Sequence, residues 1–161
     1  MRLLVMGNSG SGKSTYAARR AAEADVPCLE LDSLVWEPGR IAVERPVEAA
    51  RADLFAFLGA HPGWVIEGCD GDRIEDALPA CTELVFLNPG VAACLENNRR
   101  RPWEPHKYAR AEDQERMLPA LLAWVESYAR RSDARSYVFH RRVFDGFRGA
   151  KREIVDLQEL G

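Results

Sequence analysis

The stretch "GNSGSGKST", Gly7 to Thr15, decides the fold of this chain. It follows the short apolar run "RLLVM" (2–6), which predicts a buried strand, and it leads into "KSTYAARRAAEA" (13–24), which is typical of a helix. The spacing of Gly7, Gly12, Lys13 and Ser14 is that of the phosphate-binding loop, G-x-x-x-x-G-K-[ST]. The pattern also stands in its proper context, between a strand and a helix.

Each residue type in the loop has a chemical reason. Glycines permit backbone angles and close approaches that a Cβ atom would block, so main-chain N–H groups can turn inward around a phosphate. Lys13 supplies a point charge, the hydroxyl of Ser14 can bind Mg²⁺, and the start of the following helix favours an anion. A dinucleotide fingerprint, G-x-G-x-x-G, does not occur. The candidate phosphate-binding residues are Gly7, Asn8, Ser9, Gly10, Ser11, Gly12, Lys13, Ser14 and Thr15.

Length and charge limit the class of protein. The 161 residues, 47% of them hydrophobic, suit one globular domain. The formal net charge is −3, which argues against a dedicated duplex-binding protein but leaves a local basic patch open. No apolar run approaches the roughly 18 residues that a membrane span needs, so we expect no membrane partner.

The four cysteines, Cys28, Cys69, Cys81 and Cys94, include no C-x-x-C pair, which argues against a zinc site. Cys28 and Cys69 lie in apolar, strand-like segments, so we expect buried free thiols. Free thiols favour a reducing cytoplasm as the location.

Short apolar runs alternate with helical patterns along the rest of the chain. This alternation predicts an α/β fold with a parallel sheet, right-handed crossovers and helices on both faces. The further predicted strands are 27–32, 64–68, 83–88 and 152–157, and the further predicted helices are 46–60, 72–78, 91–101, 114–131 and 136–147.

Two segments interrupt the pattern. "VWEPGR" (35–40) is predicted to be a loop, and the proline-broken "PWEPHKYARAED" (102–113) is predicted to be a loop or flap, called the flap below. Trp36 has two interpretations, a partly buried packing residue or a platform for an acceptor. Trp64 and Trp124 are expected in the core, and His140 is expected to be packed and hydrogen-bonded.

The sequence resembles the P-loop kinases of small molecules, such as adenylate and shikimate kinases. It is most similar to the small P-loop proteins called DNA topology modulation proteins or adenylate kinase-like proteins. The resemblance rests on "GNSGSGKST", on "LELDSLVWEPG" and "WVIEG", and on "HRRVFDGFRGAKREI" near the end. It implies a three-layer α/β/α sandwich with a five-stranded parallel sheet in the order 2-3-1-4-5. It also implies one domain over residues 1–161 with a lid-like insertion at about 100–115.

Outside the loop, five residues in three segments of the chain are candidates for chemistry. Asp32 ends the second predicted strand, and the resemblance places an acid there near the acceptor hydroxyl or the metal; a helix cap or a bond to backbone amides is the alternative. Glu67 ends the third strand, where it would hold the water shell of the metal or support the loop. In relatives, arginines at the end of the fourth predicted helix clamp the transferred phosphoryl group or stack on the base, so Arg99, Arg100 and Arg101 are candidates, of which one or two would reach the ligand.

The resemblance implies an Mg²⁺-dependent transfer of the γ-phosphoryl group of ATP to a small acceptor, a nucleotide or a hydroxyl compound. The alternative is a regulatory or nucleic-acid-associated P-loop ATPase. We expect ATP, Mg²⁺ and a small-molecule acceptor as partners, and a monomer or a small homo-oligomer. The identity of the acceptor and the choice between ATP and GTP stay open.

Overall fold

The computed structural model describes residues 1–38 and 40–160. It contains seven strands and seven helices within those ranges. The strands are β1 (Arg2–Gly7), β2 (Cys28–Glu30), β3 (Trp36–Glu37), β4 (Arg40–Glu44), β5 (Trp64–Gly68), β6 (Glu83–Leu87) and β7 (Ala150–Ile154). The helices are α1 (Lys13–Ala24), α2 (Asp32–Val35), α3 (Val47–Ala60), α4 (Gly71–Ala77), α5 (Val91–Arg99), α6 (Ala111–Glu126) and α7 (Tyr137–Gly146).

Five strands form one parallel sheet in the order β2-β5-β1-β6-β7. Strand β1 lies at its centre, with Val5 in register with Glu67 of β5 and with Val85 of β6. Numbered along the main sheet alone, this order is 2-3-1-4-5, so the predicted topology is confirmed. The loop after β1 therefore lies at the middle of the carboxyl edge, where parallel α/β sheets bind their ligands.

Alternate residues of β1 divide the core between the two faces of the sheet. Leu4 and Met6 pack with residues of α3, α4 and α7, among them Leu54, Ile74 and Phe144. Leu3 and Val5 face the other way and pack against Tyr16, Ala17 and Ala21 of α1. Both faces are thus covered, as a parallel sheet requires, and the predicted three-layer sandwich is confirmed.

Several local predictions were wrong. The segment predicted as a loop at 35–40 instead contributes to an antiparallel hairpin, in which Trp36 pairs with Glu44. The second strand ends at Glu30, and Asp32 opens the short helix α2, because the chain turns as soon as Leu31 N has bonded to Glu67 O. Cys28 is exposed rather than buried, since β2 is an edge strand of the sheet.

The remaining predicted elements are present, with shifted ends. Helix α6 begins at Ala111, inside the flap, and tolerates Pro119 in its second half. Ser136 caps α7 by accepting a hydrogen bond from Phe139 N. Trp64 is a core residue, but Trp124 is only partly buried and lines a cavity. Within residues 1–38 and 40–160, the structure has no helix long and apolar enough to cross a bilayer.

Candidate active site

The phosphate loop is held open by glycine conformations. Gly10 and Gly12 have φ angles of 80° and 92°, in the left-handed region that side chains disfavour. A Cβ atom on Gly10 would lie 2.4 Å from Cys94 O, so the loop approaches α5 too closely for any other residue. Helix α1 then begins at Lys13 without a capping side chain and without an acid in its first turn. Its first N–H groups are therefore left for an anion.

Lys13 and Ser14 have different surroundings. The Lys13 ammonium is largely buried and donates a hydrogen bond of 2.9 Å to Asn8 O, which folds its side chain back over the loop. Ser14 is exposed, and its Oγ donates a bond of 2.7 Å to Glu67 Oε1 on the neighbouring strand β5. Burial raises the pKa of Glu67, while nearby Lys13 and the bond from Ser14 oppose that rise.

Residues of α5 and α6 hold the rim of the loop. Asn8 Nδ2 donates to Val125 O, and Asn97 Nδ2 donates to Gly10 O. Ser9 Oγ donates to Oδ1 of Asn98, a buried residue of α5. The shape of the loop thus depends on the two helices that flank the flap.

A cavity of about 270 Å³ lies beside the loop. Ser9 of the loop and Asp32 of α2 both line it, so the predicted phosphate site and the predicted acceptor carboxylate face the same space. One wall is apolar and comes mainly from α6. The side chains of this wall are Trp36, Met117, Leu118, Ala120, Leu121 and Trp124.

The flap closes the polar end of the cavity through Lys107. Its ammonium lies 2.5 Å from Glu30 Oε1, 3.3 Å from Glu104 Oε1 and 3.8 Å from Asp32 Oδ2. Burial alone would lower the pKa of Lys107, but the three carboxylates outweigh it and raise the pKa above its ordinary value. The flap is therefore anchored by charge to the carboxyl end of β2.

Arg135 forms the floor of the cavity beside Trp36. Its Nε and Nη2 both donate to Asp70 Oδ2, at 3.1 and 2.6 Å, and Nη2 also donates to Glu44. The guanidinium carbon lies 5.0 Å from the centre of the Trp36 ring. Asp70 is itself buried and caps α4, so this arginine is fixed by the fold.

The three candidate arginines point in different directions. Arg101 lines the cavity, with 29% of its side chain exposed, and pairs with Glu104 at 3.4 Å. Arg99 and Arg100 are more exposed, at 53% and 78%, and both pair with Glu96 on the outside of α5. The structure thus brings only Arg101, among the three, to the cavity.

Of the residues predicted from the sequence, Ser9, Asp32 and Arg101 line the cavity and Glu67 lies beside the loop, whereas Lys107, Arg135 and the apolar wall were not predicted. The wall had a signal in the sequence, because the apolar residues 117, 118, 121 and 124 recur at helical spacing along α6. Arg135 had none, because its partner Asp70 is 65 positions away in the chain.

The donors at the loop fit the groups that the resemblance implies. Unpaired helix N–H groups and one ammonium suit a polyphosphate. The Ser14 hydroxyl next to the Glu67 carboxylate suits Mg²⁺, which binds few protein ligands and keeps phosphate oxygens and waters. In the described part of the chain, no group of three or more His, Cys, Asp or Glu residues is arranged so that it could hold a metal ion by itself.

A buried histidine lies behind the loop. His140 Nε2 is 2.9 Å from Cys69 O, and its Nδ1 is 2.7 Å from the Tyr128 hydroxyl. Both contacts are satisfied by one neutral tautomer, in which Nε2–H donates to the carbonyl and the hydroxyl donates to Nδ1. Burial lowers the pKa of His140 to about 4. The packed, hydrogen-bonded role predicted for this residue agrees with these contacts.

No protein-family model matches the sequence, and a search of curated proteins gave no match. A gluconokinase from Sinorhizobium meliloti 1021 is similar in structure, with a TM-score of 0.50, 20% identity, and coverage of 99% of this chain and 86% of that chain.

Two shikimate kinases are also similar. The enzyme from Bacteroides thetaiotaomicron has a TM-score of 0.47 and 19% identity, over 81% of this chain and 79% of that chain. The enzyme from Aquifex aeolicus vf5 has a TM-score of 0.44 and 18% identity, over 80% and 83%. At such low sequence identities, structural similarity is evidence of a shared fold only. With the sheet order, the phosphate loop and the similarity to the gluconokinase, the chain has the fold of the P-loop small-molecule kinases.

Proposed function

We propose that this chain transfers the γ-phosphoryl group of ATP to a hydroxyl group of a small acceptor, with Mg²⁺ as the metal. The observation that carries the proposal is that Ser9 of the phosphate loop and Asp32 line one cavity. A nucleotide held by the loop would present its terminal phosphate to that cavity. The similarity in fold to a gluconokinase supports the same class of reaction.

The loop would hold the triphosphate through its main-chain N–H groups and Lys13. Ser14 would contact Mg²⁺ directly. Glu67, which accepts a hydrogen bond from Ser14 Oγ, would hold water molecules bound to the metal. When bound, Mg²⁺ neutralises charge on the β- and γ-phosphates. Arg101, which lines the cavity, would add positive charge on the cavity side of the γ-phosphate.

Asp32 would orient the acceptor hydroxyl and take its proton. The hydroxyl oxygen then forms a bond to the γ-phosphorus, the bond from that phosphorus to the bridging oxygen breaks, and ADP leaves. Positioning accounts for most of the rate in such reactions, since the transferred group needs little covalent help. The flap, anchored by Lys107, would exclude water and so limit plain hydrolysis of ATP.

The test is a screen of hydroxyl compounds for acceptor-dependent formation of ADP, with ³¹P NMR to identify the phosphorylated product. The proposal predicts that an active acceptor yields one phosphorylated molecule for each ADP. Asp32→Asn should lower kcat by about 10²- to 10⁴-fold while ATP still binds, because a general base is lost. Glu48→Gln, on the exposed first turn of α3, is the control.

Formation of ADP and free phosphate at a rate that no acceptor changes would contradict the proposal. It would favour the regulatory or nucleic-acid-associated ATPase instead. That alternative also predicts DNA binding that weakens steeply as salt is raised, which a filter-binding assay measures.

A further inference from the structure

The charged side chains around the cavity are already paired with one another. Three cations line it, and each has a carboxylate within 4 Å: Arg101 pairs with Glu104, Lys107 with Glu30, Glu104 and Asp32, and Arg135 with Asp70 and Glu44. These five carboxylates outnumber the lysine and arginine charges by two. Arg101 is the cation assigned above to the γ-phosphate of ATP, so among the described residues the cavity offers no lysine or arginine whose charge is left for an anionic acceptor.

An acidic ligand would have to break one of these pairs. Arg135 is the cation most suited to a carboxylate, but two of its donors are held by Asp70, which is buried and also caps α4. Displacing that contact would leave Asp70 as a buried, uncompensated charge, which is strongly unfavourable. The triphosphate that the loop is proposed to hold would repel an anion further.

The other wall of the cavity favours an apolar body. One face of α6 carries Met117, Leu118, Leu121 and Trp124 in succession. Trp36, from the distant strand β3, lines the same cavity. Their side chains are only partly buried or exposed, so the protein itself does not cover them. Two of the five are indoles, which suit contact with a flat ring.

We propose that the acceptor is an uncharged compound built on a single ring system, carrying a hydroxyl group and no carboxylate or phosphate. This inference rests on the proposed function for the identity of the reacting hydroxyl, though not for binding. The ring would lie against the α6 wall, and the hydroxyl would reach Asp32 at the polar end. A volume near 270 Å³, just under the usual range for ligand sites, suits a compact molecule of this kind.

Matched pairs of probes test the charge directly. One pair is 1,4-benzenedimethanol and 4-(hydroxymethyl)benzoate, which share a ring and one hydroxymethyl group. At the opposite ring position the first carries a second hydroxymethyl group and the second carries a carboxylate. Binding is followed by tryptophan fluorescence, since Trp36 and Trp124 line the cavity whereas Trp64 is buried in the core. Trp36→Phe and Trp124→Phe assign the signal to the cavity. Binding is measured with and without a non-hydrolysable ATP analogue.

The expected result is that the neutral probe binds at least tenfold more tightly than its carboxylate partner. Glu104→Gln removes one negative charge from the polar end of the cavity and partly releases Arg101. It should therefore reduce the ratio of the two affinities several-fold. Glu112→Gln, an exposed acid in the first turn of α6 that does not line the cavity, should leave the ratio unchanged.

Equal or tighter binding of the carboxylate would overturn the inference, above all if Arg135→Gln abolished that binding. Failure of both probes, and of further pairs with other ring systems, would overturn it as well. The proposed function fails separately: a neutral probe that binds in the cavity but is never phosphorylated supports the inference on ligand class and contradicts the kinase activity.

Discussion

Ser14 Oγ donates its hydrogen bond of 2.7 Å to Glu67 Oε1 and thereby ties helix α1 to strand β5 beside the phosphate loop. Glu67 is 3% exposed, and burial raises its pKa against the opposing effects of Lys13 and Ser14. A buried carboxylate is retained there at a cost, which is typical of sites that bind metals or move charge. The Ser14–Glu67 pair therefore lies where the phosphate loop is proposed to bind Mg²⁺.

Substitution of Glu67 separates its charge from its hydrogen bond. Glu67→Gln keeps an oxygen for the Ser14 hydroxyl but removes the negative charge. We expect about a 10- to 100-fold loss of the Mg²⁺-dependent part of nucleotide affinity, the usual effect of losing a residue that supports metal ligands. Calorimetric titration with ATP in Mg²⁺ and in EDTA measures that part.

The control for Glu67 is Glu75→Gln, since Glu75 forms only an exposed pair with Arg142 far from the loop. Binding in EDTA should change little in either variant. If Glu67→Gln gained as much affinity from Mg²⁺ as the parent does, Glu67 would have no part in holding the metal.

Arg100 and Arg101 are adjacent in sequence but differ in where their side chains lie. Arg101 lines the cavity, whereas Arg100 is 78% exposed and pairs with Glu96. We expect Arg101→Gln to lower kcat for phosphoryl transfer by about 10³-fold or more, because an arginine that stabilises the transition state has effects of that size. Arg100→Gln should stay within about twofold of the parent, as expected for an exposed ion pair. Equal losses in the two variants would contradict the assignment.

The fold was predictable from the sequence because its signals are local. The phosphate-loop pattern, the apolar runs and the helical spacing each lie within a few consecutive residues and predicted the α/β class, while the family resemblance implied the sheet order that the structure confirms. The β3–β4 hairpin was not predicted because its local signal is weak. Trp36 and Glu37 form a strand of two residues, too short for an alternating pattern, and Pro38 indicates a turn.

The cavity was only partly predictable, because its walls come from distant parts of the chain. Asp32 and Arg101, which line it, were candidates through the resemblance to known kinases. Lys107 lies in a segment with no periodicity, and its three carboxylate partners become visible only when the flap packs on β2. Arg135 depends on Asp70 in the same way. Contacts of this kind carry no sequence signal in a single chain.

His140 predicts how stability depends on pH. Its pKa in the folded state is lowered to about 4 by burial, whereas an unfolded histidine titrates near 6.5. The unfolded chain therefore takes up the proton first as the pH falls. Stability from the neutral histidine is complete above about pH 6.5 and is lost progressively toward pH 4, by on the order of 3 kcal/mol.

Denaturant unfolding at several pH values between 7.5 and 4.5 measures this loss. The parent should lose stability more steeply over this range than His140→Gln, which has no proton to take up at that position. Carboxylates titrate in both proteins, so the difference between the two slopes isolates the histidine. Parallel slopes would show that His140 does not titrate differently in the folded and unfolded states.

Lys13 provides the most direct test of the central claim, which is that the loop after β1 binds the phosphates of a nucleotide. Calorimetric titration of the parent and of Lys13→Met with MgATP should show binding in the parent and a loss of at least about 100-fold in the variant, because a charged hydrogen-bond donor to the phosphates is removed. Lys151→Met, at the edge strand β7, should bind as the parent does. Unchanged ATP binding by Lys13→Met would contradict the account.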